Sequence, residues 1–373
     1  MTDISTPAEA VAGVLIVTLI VCDAVGTLIV TQGQSGPWRP TRLWYGLTWR
    51  AARSIAVRLP RRAGDGVLNV YPAVSLLGLL LVWLCGLVVG WTLVYRALGE
   101  HPAGARDWQT LFYYAGASLL TPAFGTARDF PTRLLTLAEA LTGLGTIALL
   151  ISYLPALYGG YSKREARLLT LDDPQGGRLT PVRVIATHSI DGDLELLYRF
   201  FAEWELWTAE VLESHVSYPM LALFRSQHVG QSWITALGVV TDAATLTCAA
   251  IPEADRREPY FQYRRGRRAI QEIATRLHVP SSSATGHGIT RDGFDYAWGV
   301  LCELGLPLRE KEEAWQRLDD LRTGYGARFQ ELVDYLLAPH GFWGHSAEET
   351  VLEEVARATM DARLRARRPR SVR

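Results

Sequence analysis

The sequence predicts an all-α membrane protein, and three observations carry that expectation. Residues 10–31, 73–95 and 134–158 are apolar with at most one charge each, and each matches the roughly 20 residues a helix needs to cross a bilayer. Arginine is crowded into the connector between the first two stretches, although the chain as a whole has a net charge of +0. After residue 160 the apolar residues recur at helical spacing.

The first stretch reads as a retained span. Asp3 and Glu9 stand where a signal peptide carries basic residues, and the apolar run is longer than a signal core. Residues 1–31 therefore form an N-terminal transmembrane helix. Asp23 within it is expected to face the arginine connector. That connector, 32–71, holds Arg39, Arg42, Arg50, Arg53, Arg58, Arg61 and Arg62 against a single Asp65. Lys163, Arg164 and Arg167 follow the third stretch, whereas 1–9 and 98–133 are poor in positive charge. By the positive-inside rule the N-terminus lies outside, and the connector and everything after 160 lie inside.

Residues 72–160 hold the second and third spans and an unusual stretch between them. Residues 107–120 are apolar, aromatic and of helix length, but about 13 residues at 1.5 Å each reach only part of the way through a bilayer. The stretch breaks at Thr121-Pro-Ala-Phe-Gly-Thr126 and returns through Arg128, Asp129 and Pro131. Irregular backbone at membrane depth is tolerated only where protein or water covers it. A re-entrant half-helix with an extended return meets that condition. A hairpin lying on the outer surface is the plainer alternative.

Span, half-helix, Thr-x-x-aromatic-Gly, turn, Pro, span resembles the pore of tetrameric potassium channels. The wider chain is similar to bacterial proteins of the potassium-channel family that carry one additional N-terminal span. Further matching segments are Leu43 to Trp49 (LWYGLTW), Glu139 to Gly145 (EALTGLG) and Tyr153 to Tyr158 (YLPALY). Others are Lys163 to Glu165, Trp204 to Trp207 and Glu213 to Pro219, so the likeness covers roughly residues 10–250. It implies a homotetramer in a bacterial inner membrane, with the bilayer and its own copies as partners. Monovalent cations, potassium or sodium, would be the permeant ions, with no cofactor.

The filter is where the sequence departs from that family. Potassium filters line up rings of backbone carbonyls, one strand per subunit, and their glycines allow the positive φ this requires. Here Thr121, Phe124 and Gly125 match, but Pro122, Ala123 and Thr126 do not. Ala123 carries a Cβ that costs about 1 kcal/mol or more in the left-handed region. Pro122 fixes φ and removes an N–H, and it restricts Thr121 to extended backbone. Ordinary potassium selectivity is therefore not expected. The half-helix still points its negative dipole end at the pore centre, which favours cations.

The resemblance also assigns supporting roles. Glu139, a carboxylate two turns into the third span, becomes a proton-sensitive strut behind the filter, bonded to the half-helix. A satisfied polar contact between helices is the structural alternative. Gly143, Gly145 and Pro155 become a gating hinge, against ordinary small-residue packing.

Residues 161–373 are expected to form a helical cytoplasmic domain. Leu194, Leu197, Phe201, Trp204 and Val211 share one face, and Trp315, Leu318, Tyr325, Phe329, Leu332 and Leu336 share another. Residues 234–251 are apolar enough for a fourth span, but Asp242 interrupts them, and a crossing would carry the arginine-rich end outside. A buried helix is the better account. Cys22, Cys85, Cys248 and Cys302 are scattered, and the histidines lack metal-ligand spacing. No Gly-x-Gly-x-x-Gly signature indicates a nucleotide-binding regulatory domain. No catalytic constellation appears, so an enzyme is not expected, and neither is a nucleic-acid partner. The basic connector and the tail Arg363–Arg373 are candidates for anionic lipid. A nonconducting relative, using the channel scaffold as a sensor or assembly platform, is the alternative function.

Overall fold

The computed structural model describes residues 5–29, 39–97, 107–120, 130–171, 179–189, 193–226, 232–252, 257–281 and 288–339. Among these residues every regular element is helical. The chain divides into two compact units, Met1–Gly159 and Gly160–Arg373.

The first unit contains α1 (Ser5–Leu28), α2 (Pro40–Arg58), α3 (Arg61–Ala97), α4 (Trp108–Leu120) and most of α5 (Phe130–Leu168). Its hub is α3. At 37 residues this helix is about 55 Å long, well beyond the thickness of a hydrocarbon core. α1 packs closely on it where small residues meet. A Cβ on Gly13 would lie 2.6 Å from the carbonyl of Gly90, so the two backbones touch as small residues allow in membrane helix pairs. The common core joins Ile20 and Ala24 of α1 to Leu79, Trp83, Leu87, Trp91 and Tyr95 of α3, and these to Leu111, Ala115 and Leu119 of α4. On the opposite side of α3, Val70, Val74, Leu77 and Leu81 are exposed at helical spacing, an apolar stripe suited to lipid.

The connector differs from its outline in the sequence. It holds a 19-residue helix of its own, α2, and the boundary placed at residue 71/72 falls inside α3. Pro72 is carried within α3. Proline removes one helix hydrogen bond, a loss that membrane helices tolerate when neighbours cover the site. α2 lies along α3, with the indole N–H of Trp44 donating to the carbonyl of Ser75 at 2.9 Å. Farther along, a Cβ on Gly64 would meet the carbonyl of Ala56 at 2.5 Å.

The second unit contains α6 (Pro181–His188), α7 (Glu195–Ser217), α8 (Trp233–Ala250), α9 (Glu258–Arg276), α10 (Arg291–Glu303), α11 (Lys311–Thr323) and α12 (Gly326–Leu336). Its centre is α8. Four helices are long and apolar enough to cross a membrane, but the apolar window of α8 is 89% buried inside the protein, against 22%, 33% and 28% for α1, α3 and α5. Protein already surrounds α8, and even its one carboxylate is paired. Asp242 Oδ1 and Oδ2 accept from Arg322 Nε and Nη2 at 2.9 and 3.0 Å, and the Tyr325 hydroxyl donates to Oδ1. The Tyr325 phenol is held well above its ordinary pKa by burial and by Asp242.

The face drawn from Trp315 to Leu336 is not one helix. It is shared by α11 and α12, with a turn at Gly324 and Tyr325 between them. The turn frees the Tyr325 side chain to reach Asp242, while Leu318, Phe329, Leu332 and Leu336 still reach the core.

Candidate functional site

The short helix forms over Trp108–Leu120, as the sequence suggests. Asp107 starts it, accepting from the backbone N–H and the hydroxyl of Thr110 at 2.9 Å each, the N-terminal capping that unsatisfied first-turn amides require. Leu111, Tyr114, Ala115, Ser118 and Leu119 are buried, and Phe112, Tyr113 and Leu120 are exposed. One face of α4 is thus seated in protein while the other is left open.

Close backbone contact with α5 defines the far end of this seat. A Cβ on Gly143 would stand 2.2 Å from the carbonyl oxygen of Leu119 and 2.6 Å from its side chain. Only glycine fits there without a shift. Gly145 has nothing within 4 Å of the equivalent point. Pro155 lies within α5, which runs unbroken from Phe130 to Leu168.

Glu139 is fully buried on α5. Its partner is not on the short helix. The hydroxyl of Tyr95, on α3, donates to Oε2 at 2.7 Å. The short helix reaches the same cluster one step away, through the Tyr114 hydroxyl, 3.1 Å from the Thr136 hydroxyl, which is itself 3.3 Å from the Tyr95 hydroxyl. The rings of Tyr95 and Tyr114 meet edge to face at 5.3 Å. A phenol is long enough to cross between helices, so Tyr95 on α3 takes the contact expected from the short helix. Among the described residues Glu139 Oε1 and the buried hydroxyl of Ser118 on α4 have no hydrogen-bond partner. Thr121, Pro122, Ala123, Phe124 and Gly125, the filter-like residues, and Thr126 after them lie outside the described residues.

Asp23 is the opposite case. Its carboxylate accepts from Arg39 Nε at 2.8 Å, from the Thr41 N–H at 2.9 Å and from the Trp83 indole at 3.0 Å, and the Thr41 hydroxyl adds a fourth donor at 2.6 Å. Arg39 also reaches the Asp23 carbonyl and Thr27. The aspartate meets the arginine connector, as its position suggested, and in doing so ties α1 to α2 and α3.

A cluster in the second unit was not legible in the sequence. Arg164 is buried, donating to Glu165 at 2.9 Å and to the carbonyls of Leu221 and Phe224 at 3.1 and 2.8 Å. Its Nη1 lies 3.3 Å from His215 Nε2, while His215 Nδ1 lies 2.7 Å from the Val211 carbonyl. With Nδ1 donating and Nε2 accepting, the imidazole is neutral. Burial and then the Arg164 charge push its pKa well below the ordinary histidine value. Lys163–Glu165 and Glu213–Pro219 are both segments of the resemblance, but nothing in their spacing shows that the two meet.

Comparison with known proteins agrees at the level of class. No family model and no solved structure matches this chain. It is similar to the uncharacterized membrane protein YdjJ of Bacillus subtilis (strain 168), 25% identical over 261 residues that cover 65% of this chain and 70% of that protein. That likeness and its long, apolar, lipid-accessible helices make this chain a multi-pass membrane protein.

Proposed function

We propose that the chain is the subunit of a homotetrameric, channel-like membrane protein that passes monovalent cations. The observation that carries this reading is α4: 13 residues, about 20 Å, too short to cross yet seated against α3 and α5 by its buried face. Such a helix can enter the bilayer and turn back only if the residues after it are sheltered by protein or water. In this reading 121–125 line the pathway, with four copies around one axis, because a single strand cannot surround an ion. The exposed apolar row Leu137, Leu141, Ile151 and Leu154 on α5 supports further copies as neighbours. Glu139 would brace the segment after α4 from behind through Oε1. Gly143 would hold α4 and α5 together, and Gly145, which meets no such constraint, would with Pro155 be where α5 bends. The N-terminus would be outside and the second unit cytoplasmic, in a bacterial inner membrane.

Pro122 and Ala123 favour weak selectivity, and they are also the feature that supports a nonconducting platform as the second reading. Flux through reconstituted proteoliposomes separates the two. The channel reading expects a cation flux that discriminates poorly between potassium and sodium. Restoring Pro122→Val, Ala123→Gly and Thr126→Asp should add preference for potassium. Silence from both proteins, with tetramers intact by mass, would sink conduction and leave the platform.

A further inference from the structure

The connector helix α2 presents a surface that the described residues of the first unit leave uncovered. Wound at about 100° per residue, it buries Trp49, Ala52 and Ala56. Arg42, Arg53 and Arg50 follow on the next arc, and Leu43, Leu47 and Ile55 on the arc beyond. Leu47 is 67% exposed, and Leu43 and Ile55 are about half exposed. Arg42 and Arg50 are exposed as well. Apart from Arg39, the connector arginines make no ion pair among the described residues. The only acid of the connector is Asp65, beyond the helix.

Leucines at such exposure beside unpaired arginines would be poor design for water. They suit a boundary, where the apolar arc enters the acyl region and guanidinium groups stay among headgroups. The helix is also fixed in place for this. Its first turn is pinned to Asp23, Trp44 bonds to the Ser75 carbonyl, and the Thr48 hydroxyl meets that of Tyr71 at 3.0 Å. All these anchors lie on α1 and α3, and α3 carries the lipid-suited apolar stripe.

We infer that α2 is an interfacial helix that binds anionic lipid headgroups through Arg42, Arg50 and Arg53, with Leu43, Leu47 and Ile55 in the acyl layer. The occupant is lipid because charge and apolar surface are both unmet on adjoining arcs, and because the helix is continuous with the membrane-facing surface. This does not depend on ion conduction.

The test uses full-length protein in mild detergent with an equimolar mixture of phosphatidylglycerol and phosphatidylcholine, and counts retained lipids by native mass spectrometry. The parent should prefer phosphatidylglycerol, and added salt should weaken that preference. The combined variant Arg42→Gln, Arg50→Gln and Arg53→Gln should lose about fivefold of it per arginine. A control, Arg199→Gln, Arg264→Gln and Arg267→Gln, removes equal charge from the second unit and should retain it. A spin label at Leu47→Cys, with the four native cysteines replaced by serine, should collide with oxygen rather than a water-soluble nickel chelate once the protein is in bilayers. An unchanged preference in the connector variant, or an equal loss in the control, overturns the proposal. So does a Leu47 label reached mainly by the chelate, or one shielded from both reagents, the latter meaning that a second copy covers the helix.

Discussion

Two corners of the first unit hold a carboxylate at membrane depth, and they treat it in opposite ways. At the α1–α2 corner Asp23 has four donors, one of them the Arg39 guanidinium. At the α4–α5 seat Glu139 has, among the described residues, one donor on Oε2 and none on its buried Oε1. Isolated charges are expensive inside a membrane, so a saturated carboxylate is an anchor, finished within one chain. A half-satisfied one marks a place whose remaining partner is not among the described residues. The difference separates the part of the unit that only has to be rigid from the part read here as the pathway.

The largest effect expected from this comparison is at Asp23. Asp23→Ala leaves Arg39, Trp83 and the first turn of α2 without their acceptor. Breaking a buried pair in this one-sided way costs 3–5 kcal/mol. The Arg39 side chain is 23% exposed and can hydrate, so about 3 kcal/mol is expected, measured by unfolding in mixed micelles. A loss under about 1 kcal/mol would mean that the corner is not an anchor.

Gly143→Ala tests the seat and should rank second. The added methyl meets the Leu119 carbonyl, which is backbone and cannot rotate away, so the helices must separate at about 1–3 kcal/mol. In proteoliposomes the same variant should reduce flux, because α4 shifts with Leu119. A variant as stable and active as the parent would show that the close approach of α4 and α5 is not required.

Glu139→Gln should be the smallest, within about 1 kcal/mol. The amide oxygen can still accept from Tyr95, and no cation loses a partner. If it proves as costly as Asp23→Ala, the free oxygen has a strong partner in the assembled protein, and the contrast between the two corners disappears. A further check lies in the second unit. His215 is held neutral by burial and Arg164, so its folded pKa lies below the unfolded value near 6.5. The unfolded state then binds the extra proton first. Stability from this site is present above that pH and falls below it by about 1.4 kcal/mol per unit, a slope that His215→Phe should remove.

Much of this was legible in the sequence because membrane spans are written locally. Twenty apolar residues, an arginine-rich flank and a 13-residue apolar stretch ended by Thr-Pro are one-dimensional signals, and α1, α3, α4 and α5 formed where those signals stood. The burial of Asp242 in a core helix was readable too, since one acid and a reversed charge bias argued against a crossing. Less legible were partners far apart in the chain. Tyr95 lies 44 residues from Glu139, Trp83 60 from Asp23, and Arg322 80 from Asp242. No periodicity links such positions.

The sequence by itself determined that this is a multi-pass membrane protein, which segments are long and apolar enough to cross, and that Pro122 and Ala123 stand where backbone freedom is most restricted after the short helix. Those are matters of hydrophobic length, charge placement and backbone freedom, each set by neighbouring residues. Only the tertiary structure decided which carboxylate is an anchor and which has a single donor among the described residues. That depends on donors delivered by other helices, and a buried polar group takes its character from what packing brings within 3 Å of it.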